Sequence, residues 1–176
     1  ATPNATRRWL RTVPWSLIWP GSHVVAGLPA IRIMTGGDDD EFEDLQVWRD
    51  WLDQRVSPRT GYWSRGFLHK IGLMPQIAAR ELGGAFHMHF IYEAMGWPWP
   101  HPEGVIDTAL ALQQKNGFWD GDVSYCIDLD ALWCLFRSGR NAGGYRAQDI
   151  HRAAEAYLAR AEETLNDRDF LFTEYD

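Results

Sequence analysis

The chain has 176 residues, 45% of them hydrophobic and 23% charged, which predicts a single domain over residues 1–176. Its formal net charge of −7 argues against a nucleic-acid partner, which needs a basic surface to replace counterions. The sequence contains no run of about 18 apolar residues, so no membrane span is predicted. Ten Trp residues favour either an aromatic core or a surface for an apolar or sugar-like ligand.

Residues 1–36 are interpreted as an N-terminal extension. Their apolar part, 13–33, is interrupted by three prolines and fits a signal peptide poorly. The first repeat unit covers residues 37–96. Its first predicted helix has apolar side chains at helical spacing, namely Leu45, Trp48, Trp51, Leu52 and Val56. The loop Gly61-Tyr62-Trp63 follows, and a second helix over about 75–95 should stop at Gly96, because glycine favours a helix end.

The same layout returns in residues 97–139 and, incompletely, in residues 140–176. The second unit starts with a stiff proline-rich connector, 97–102, which is followed by an apolar helix and the loop Gly117-Phe118-Trp119. Its last predicted helix covers about 123–137 and should stop at Gly139. The third unit has a predicted apolar stripe at Tyr157, Leu158, Ala161 and Leu165, followed by Phe170-Leu171-Phe172. Repetition of helix, loop and helix predicts an all-α fold of stacked helical hairpins.

The two loops, with Gln113 and Gln114 before the second of them, resemble the repeats of the α/α-toroid superfamily, which includes class II terpenoid cyclases and protein prenyltransferase β-subunits. The resemblance implies a partial toroid in which the second helix of each hairpin lines a central cavity. Three hairpins are too few to close a ring. The resemblance therefore implies an incomplete ring, a ring completed as a homo-oligomer, or the remainder of a longer chain.

Asp128 and Asp130 lie in an otherwise apolar predicted helix and are the first catalytic candidates. A buried carboxylate is costly unless it is paired or faces a cavity, and desolvation would raise its pKa and suit a general acid. The alternative is that both residues brace neighbouring hairpins. Class II cyclases use Asp-x-Asp-Asp, and here Ala131 stands in the place of the last Asp. We expect Asp130 to be the acid and Asp128 an orienting partner.

His87 is the third catalytic candidate, because aligning Gly96 with Gly139 places it opposite Asp130 in the next unit. The expected substrate-binding residues are His89, Tyr92, Trp119 and Trp133. His89 and Glu93 are one helical turn apart and could interact, and Trp119 could stack on a sugar ring. For each of these residues, burial in the core is the alternative interpretation.

No metal site and no cofactor are predicted. Cys126 with His87 could supply two zinc ligands, but no characteristic spacing supports zinc. The acidic residues Asp39, Asp40 and Glu43 resemble the Mg²⁺-diphosphate motif of class I terpene synthases, and Asn166, Asp167 and Glu174 resemble its second part. The alternative for the first group is the start of a helix, where acidic residues complement the helix dipole.

The two cysteines, Cys126 and Cys134, should be about 12 Å apart along one helix, too far for a disulfide, and free thiols favour a cytoplasmic location. Three functions remain open. The first is acid-catalysed cyclisation or isomerisation of a hydrophobic substrate, the second is a carbohydrate-active or sugar-binding toroid, and the third is a non-catalytic helical-repeat scaffold.

Overall fold

The computed structural model describes residues 2–15, 17–36, 43–63, 79–120 and 125–166. Seven α-helices form 73% of these residues and no β-strand occurs among them, which confirms the all-α class. The helices are α1 (Pro3–Thr12), α2 (Ile18–Thr35), α3 (Glu43–Asp53), α4 (Ala79–Ala94), α5 (Pro102–Leu112), α6 (Cys126–Asn141) and α7 (Ala147–Asn166). Within the described ranges, no helix is both long enough and apolar enough to cross a membrane.

The helices alternate between two sets along the chain. The central set is α2, α4 and α6, in which α4 packs against both α2 and α6. In the flanking set, α1 packs on α3 and α5 packs on α7, while α5 and α7 also contact α6. The order is therefore three successive pairs, α1–α2, α3–α4 and α5–α6, followed by α7. Alternation of this kind is what stacked helical hairpins produce.

The N-terminal extension provides the first of these pairs. α1 ends before Pro14, and Val13 is extended at φ −64° and ψ 136°, as expected for a residue that precedes proline. α2 contains Pro29 in its interior and nevertheless continues to Thr35. It is held to α3 by the indole of Trp48, whose N–H donates to the Val25 carbonyl at 2.9 Å.

Equivalent glycines fix the two Gly-aromatic loops. Gly61 and Gly117 have φ of 69° and 91°, a region in which side chains with a Cβ are strained. A Cβ at Gly61 would lie 2.4 Å from the Val105 side chain in α5, and one at Gly117 would lie 2.7 Å from the Ala156 carbonyl oxygen in α7. Each loop is thus pressed against the next flanking helix, where only glycine fits.

The tryptophans of the two loops also have equivalent roles. The Trp63 indole N–H donates to the Leu52 carbonyl at 3.0 Å, and the Trp119 indole N–H donates to the Ala109 carbonyl at 2.7 Å. Both side chains are buried. Each tryptophan therefore ties its loop back to the preceding flanking helix, so the recurrence seen in the sequence has a structural basis.

α4 ends close to the predicted position. Gly96 has φ of 64°, its N–H donates to the Glu93 carbonyl at 3.0 Å, and the Trp97 N–H donates to the Tyr92 carbonyl at 2.9 Å. This pair of bonds is a Schellman motif, which satisfies carbonyls that the last helical turn leaves unpaired.

The predicted stop of α6 at Gly139 is wrong, because α6 continues to Asn141. The left-handed position is taken by Gly143 at φ 60°, and the Gly144 N–H donates to the Gly139 carbonyl at 3.0 Å. Gly139 is tolerated inside the helix and faces Ile150 at its side. Gly143, rather than Gly139, is therefore the counterpart of Gly96.

The apolar stripe predicted for the third repeat unit is only partly correct. Ala161 is buried and Tyr157 half-buried, but Leu158 and Leu165 are 62% and 56% exposed. Among the described helices α7 packs mainly against α5 and α6, and these two leucines remain exposed. Charged residues of both signs form a solvated face of α7, with exposed ion pairs such as Arg160–Glu163.

Several predicted features lie outside the described residues. These are Asp39, Asp40, Asp167 and Glu174 of the motifs that resemble class I synthases, and the aromatic ending Phe170-Leu171-Phe172. Of the same motifs, Glu43 is the first residue of α3 and Asn166 is the last residue of α7.

Candidate functional site

Asp130 lies where the three central helices meet. Its side chain on α6 faces Gly83 on α4, and a Cβ at Gly83 would be 2.9 Å from Asp130 Oδ2 and 2.3 Å from Cζ3 of Trp19 on α2. Gly83 therefore allows the indole and the carboxyl group to approach α4 closely. Aligning Gly96 with Gly143 pairs Gly83 with Asp130, in agreement with this contact.

Asp130 is 4% exposed as a residue, and its carboxyl group has no hydrogen bond or ion pair with any residue that the structure describes. Desolvation raises its pKa to about 7. At neutral pH a substantial fraction of this group is therefore protonated, which is the state that a general acid requires.

Two thiols lie near Asp130 along α6. Cys126 and Cys134 lie one turn before and one turn after it, and both thiols are free. Burial, and secondarily the charge of Asp130, raises the pKa of both cysteines. Cys134 and Tyr62 are both buried neighbours, and burial likewise raises the pKa of Tyr62. These groups are neutral at pH 7 and leave the carboxyl group of Asp130 without a compensating charge.

Asp128 has a different role from Asp130. Its Oδ1 accepts a hydrogen bond from the backbone N–H of Trp119 at 2.7 Å, while its Oδ2 has no partner among the described residues. Burial raises the pKa of Asp128, and the bonds from backbone N–H groups, first that of Trp119, partly offset this shift. Asp128 therefore braces the loop that precedes α6.

His87 is not opposite Asp130, because the expected pairing relied on Gly139 as the end of α6. Its Nδ1 is 3.0 Å from Ser22 Oγ, and the Ser22 hydroxyl can also donate to the Trp19 carbonyl. Either tautomer of His87 is compatible with this contact, because the Ser22 hydroxyl can donate to Nδ1 or accept from it. The ring of His23 lies 4.2 Å away, centre to centre. Burial, then the charge of His23, lowers the pKa of His87.

His89 is enclosed in an aromatic cage. Its ring stacks on Trp99 with centres 4.3 Å apart, and Trp63 and Tyr62 contact it at 5.0 and 5.6 Å. Burial lowers its pKa to about 3, so the ring is neutral at pH 7. The expected interaction with Glu93 does not form, because Glu93 is ion-paired with Arg137.

The other three expected substrate-binding residues differ in their access to solvent. Tyr92 is fully buried and donates its hydroxyl to Asp53 at 2.6 Å, and Trp119 is 1% exposed. Trp133 is half-buried and contacts Phe86 and Phe90 at 4.9 and 6.1 Å between ring centres. Of the expected set, Trp133 is thus the residue that reaches the surface of the central helices.

Two grooves open on these central helices. A groove of about 430 Å³ is lined by Trp19, Pro20, Arg80, Asp120, Cys126 and Ile127, and Asp130 is not one of its lining residues. An apolar groove of about 300 Å³ between α2 and α4 is lined by His23, Ala26, Gly27, Ala30, Phe86, His87, Phe90 and Ile91. The Trp19 ring also lies 6.1 Å from the His87 ring, so this one indole borders the surroundings of both candidate residues.

Sequence reasoning did not identify Trp19 or Gly83. A glycine pair inside a predicted helix, Gly83-Gly84, was the available signal, because glycine there is costly unless another group approaches the backbone. In the described part of the chain, no three His, Cys, Asp or Glu side chains converge as a metal site would require.

Comparisons with known protein families, with curated proteins and with solved structures find no match for this chain.

Proposed function

We propose that this chain is part of an α/α-toroid enzyme that binds a hydrophobic substrate on α2, α4 and α6, with Asp130 as the general acid. The observation that carries the proposal is the Asp130 carboxyl group, buried and without a described partner, with its pKa raised to about 7. A carboxyl group used only as a brace would have hydrogen-bond donors, as Asp128 has.

The surface of the central helices supports a hydrophobic substrate. Each of the three helices exposes large apolar side chains, which are Leu17 just before α2, Val24, Leu28, Ile31 and Met34 on α2, Phe90 on α4, and Leu129 and Phe136 on α6. Exposed apolar surface of this extent marks a binding face rather than ordinary scatter. In a completed ring, this face would line the cavity, and the ring would be closed by further chain or by other copies.

His87 has a separate place in this proposal. It borders the apolar groove, and its Nδ1 lies within hydrogen-bond distance of Ser22 Oγ. It does not orient Asp130, and neither does Asp128. We also propose a cytoplasmic location, supported by the two free thiols.

The test is a thermal-shift screen of the purified chain against isoprenyl diphosphates, with and without Mg²⁺, and against a panel of oligosaccharides. We expect a rise in melting temperature with a prenyl ligand that is lost in Asp130→Asn and kept in Asp128→Asn, the matched carboxyl-to-amide change on the same helix. Equal shifts in both variants, or no shift with any prenyl ligand, would contradict the assignment of Asp130.

A second candidate, binding of a sugar-like ligand, is favoured by a groove of about 390 Å³ beside half-buried Trp97, with Glu93, Arg137 and Arg140 in its lining. Aromatic rings flanked by polar groups suit sugars, but Trp99 and Trp119 are buried and cannot stack on a ligand. A thermal shift with oligosaccharides that disappears in Trp97→Ala would favour this function. The third candidate, a scaffold, predicts no shift and a lower melting temperature for Asp130→Asn.

A further inference from the structure

Four arginines gather at the α1–α3 side of the molecule, away from the central helices. Arg7, Arg8 and Arg11 fall within about 100° of one another around α1, because successive helical residues are 100° apart. Arg55 follows the end of α3, which packs on α1. All four residues are exposed. We call them the α1–α3 arginine cluster.

The members of this cluster differ from most other arginines of the chain in lacking a carboxylate partner. Elsewhere, ion pairs with aspartate or glutamate are formed by Arg32, Arg49, Arg137, Arg146, Arg152 and Arg160. Within the described ranges, no carboxylate lies at ion-pair distance from any of the four clustered arginines. The net charge of −7 shows that acidic residues are plentiful, yet none of the described ones pairs with these four arginines.

Trp51 holds two of these cations near each other. The Arg55 guanidinium carbon lies 3.4 Å from the centre of the Trp51 ring and that of Arg11 lies 5.9 Å from it, both within cation–π range. Arg55 Nη1 also donates to the Trp51 carbonyl at 3.0 Å. Desolvation, and then the charge of Arg11, lowers the pKa of Arg55. Two like charges are thus fixed beside one indole.

We propose that the α1–α3 arginine cluster binds a soluble polyvalent phosphate anion, of the size and charge of pyrophosphate. Arg11 and Arg55 would grip one phosphate group, since the planar guanidinium fork matches phosphate oxygens, and Arg7 and Arg8 would extend the positive surface along α1. The anion would relieve the repulsion between the two cations that Trp51 holds. This site is separate from Asp130 and does not depend on the proposed enzymatic function.

The test is isothermal titration calorimetry of the full chain with inorganic pyrophosphate at low salt. We expect binding that weakens with added NaCl. Arg11→Gln and Arg55→Gln should each weaken it by about tenfold, as expected for loss of a charge-assisted contact. Arg55→Lys, which keeps the charge but loses the fork, should weaken it less. Arg152→Gln, an exposed arginine paired with Asp149 on α7, is the control and should leave the affinity unchanged.

Melting temperatures of all variants, measured without ligand, would separate loss of binding from loss of folding. The proposal is overturned if pyrophosphate does not bind, or if the folded Arg11→Gln and Arg55→Gln proteins bind as tightly as the control. It is also overturned if the cluster binds vesicles of phosphatidylcholine with phosphatidylserine but not soluble pyrophosphate, since the partner would then be a lipid surface.

Discussion

The hairpins α3–α4 and α5–α6 are built with the same loop devices but differ in the helix interior. In both, a left-handed glycine presses against the next flanking helix and a tryptophan donates to the preceding one. In the central helices, however, α4 has Gly83 where α6 has Asp130, and these two positions face each other. The two hairpins therefore share the packing of their loops, but the interface between them contains an unpaired carboxyl group from α6.

The largest effect should come from adding a Cβ to either loop glycine. Gly61→Ala and Gly117→Ala should each lower the free energy of unfolding by about 3 kcal/mol, because each change combines a left-handed backbone with a clash. Chemical denaturation measures the loss. Gly96→Ala is the control, because its φ is 64° but no atom lies within 4 Å of its Cβ, so we expect about 1 kcal/mol. If one loop tolerates alanine, the two hairpins are not equivalent.

The second prediction concerns Asp130 and pH. Its pKa is about 7 in the folded state and about 3.9 when unfolded, so the folded state binds more protons between these values. Its contribution to stability is therefore present below pH 4 and is lost as pH rises through 7. Asp130→Asn should remove this loss and stabilise the protein at pH 8 by on the order of 2 kcal/mol, measured by urea unfolding.

The control for this measurement is the buried His89. Its pKa is about 3 when folded and about 6.5 when unfolded, so its contribution is lost as pH falls below 6.5. The two slopes oppose each other between about pH 4 and 6.5. In Asp130→Asn the opposing slope of Asp130 is removed, so the unfolding free energy should fall more steeply on acidification than it does in the parent. A variant less stable than the parent at pH 8 would mean that Asp130 is a structural brace.

A smaller effect is expected for Asp128, the paired carboxylate of the same helix. Asp128→Ala leaves the buried N–H of Trp119 without its acceptor, which should cost about 1–3 kcal/mol at pH 7. Urea unfolding of Asp128→Ala beside Asp130→Asn should give changes of opposite sign. Changes of the same sign would remove the contrast between the two carboxyl groups.

The smallest effect should come from the contacts that tie each loop to the next hairpin. Gln113 Nε2 donates to the carbonyls of Gly117 and Ala153, and the Thr108 hydroxyl donates to the Thr60 carbonyl. Gln113→Ala and Thr108→Val should each lower the unfolding free energy by about 1 kcal/mol. A loss in only one variant would show that the loops are held differently.

The C-terminal ends of α4 and α6 show how much of the fold the sequence alone could predict. Glycine just after a periodic segment correctly predicted the end of α4 at Gly96. The same rule failed at Gly139, because a glycine inside a helix carries the same local signal as one beyond its end, and the tertiary environment chooses between them. Because the sequence alignment used Gly139, it paired His87 with Asp130. In the structure, Gly83 is the residue of α4 that faces Asp130.

The sequence by itself determined the all-α class, the apolar stripes of α3 and α5, and the recurring Gly-aromatic loops, because helical periodicity and glycine at a tight turn are local properties. It also marked Asp128 and Asp130 as unusual in an apolar helix. Only the tertiary structure decided that Asp128 has a donor and Asp130 has none, that Trp19 covers Gly83, and that Trp51 brings Arg11 and Arg55 together. Desolvation and pairing depend on residues distant in the chain, so no local pattern could specify them.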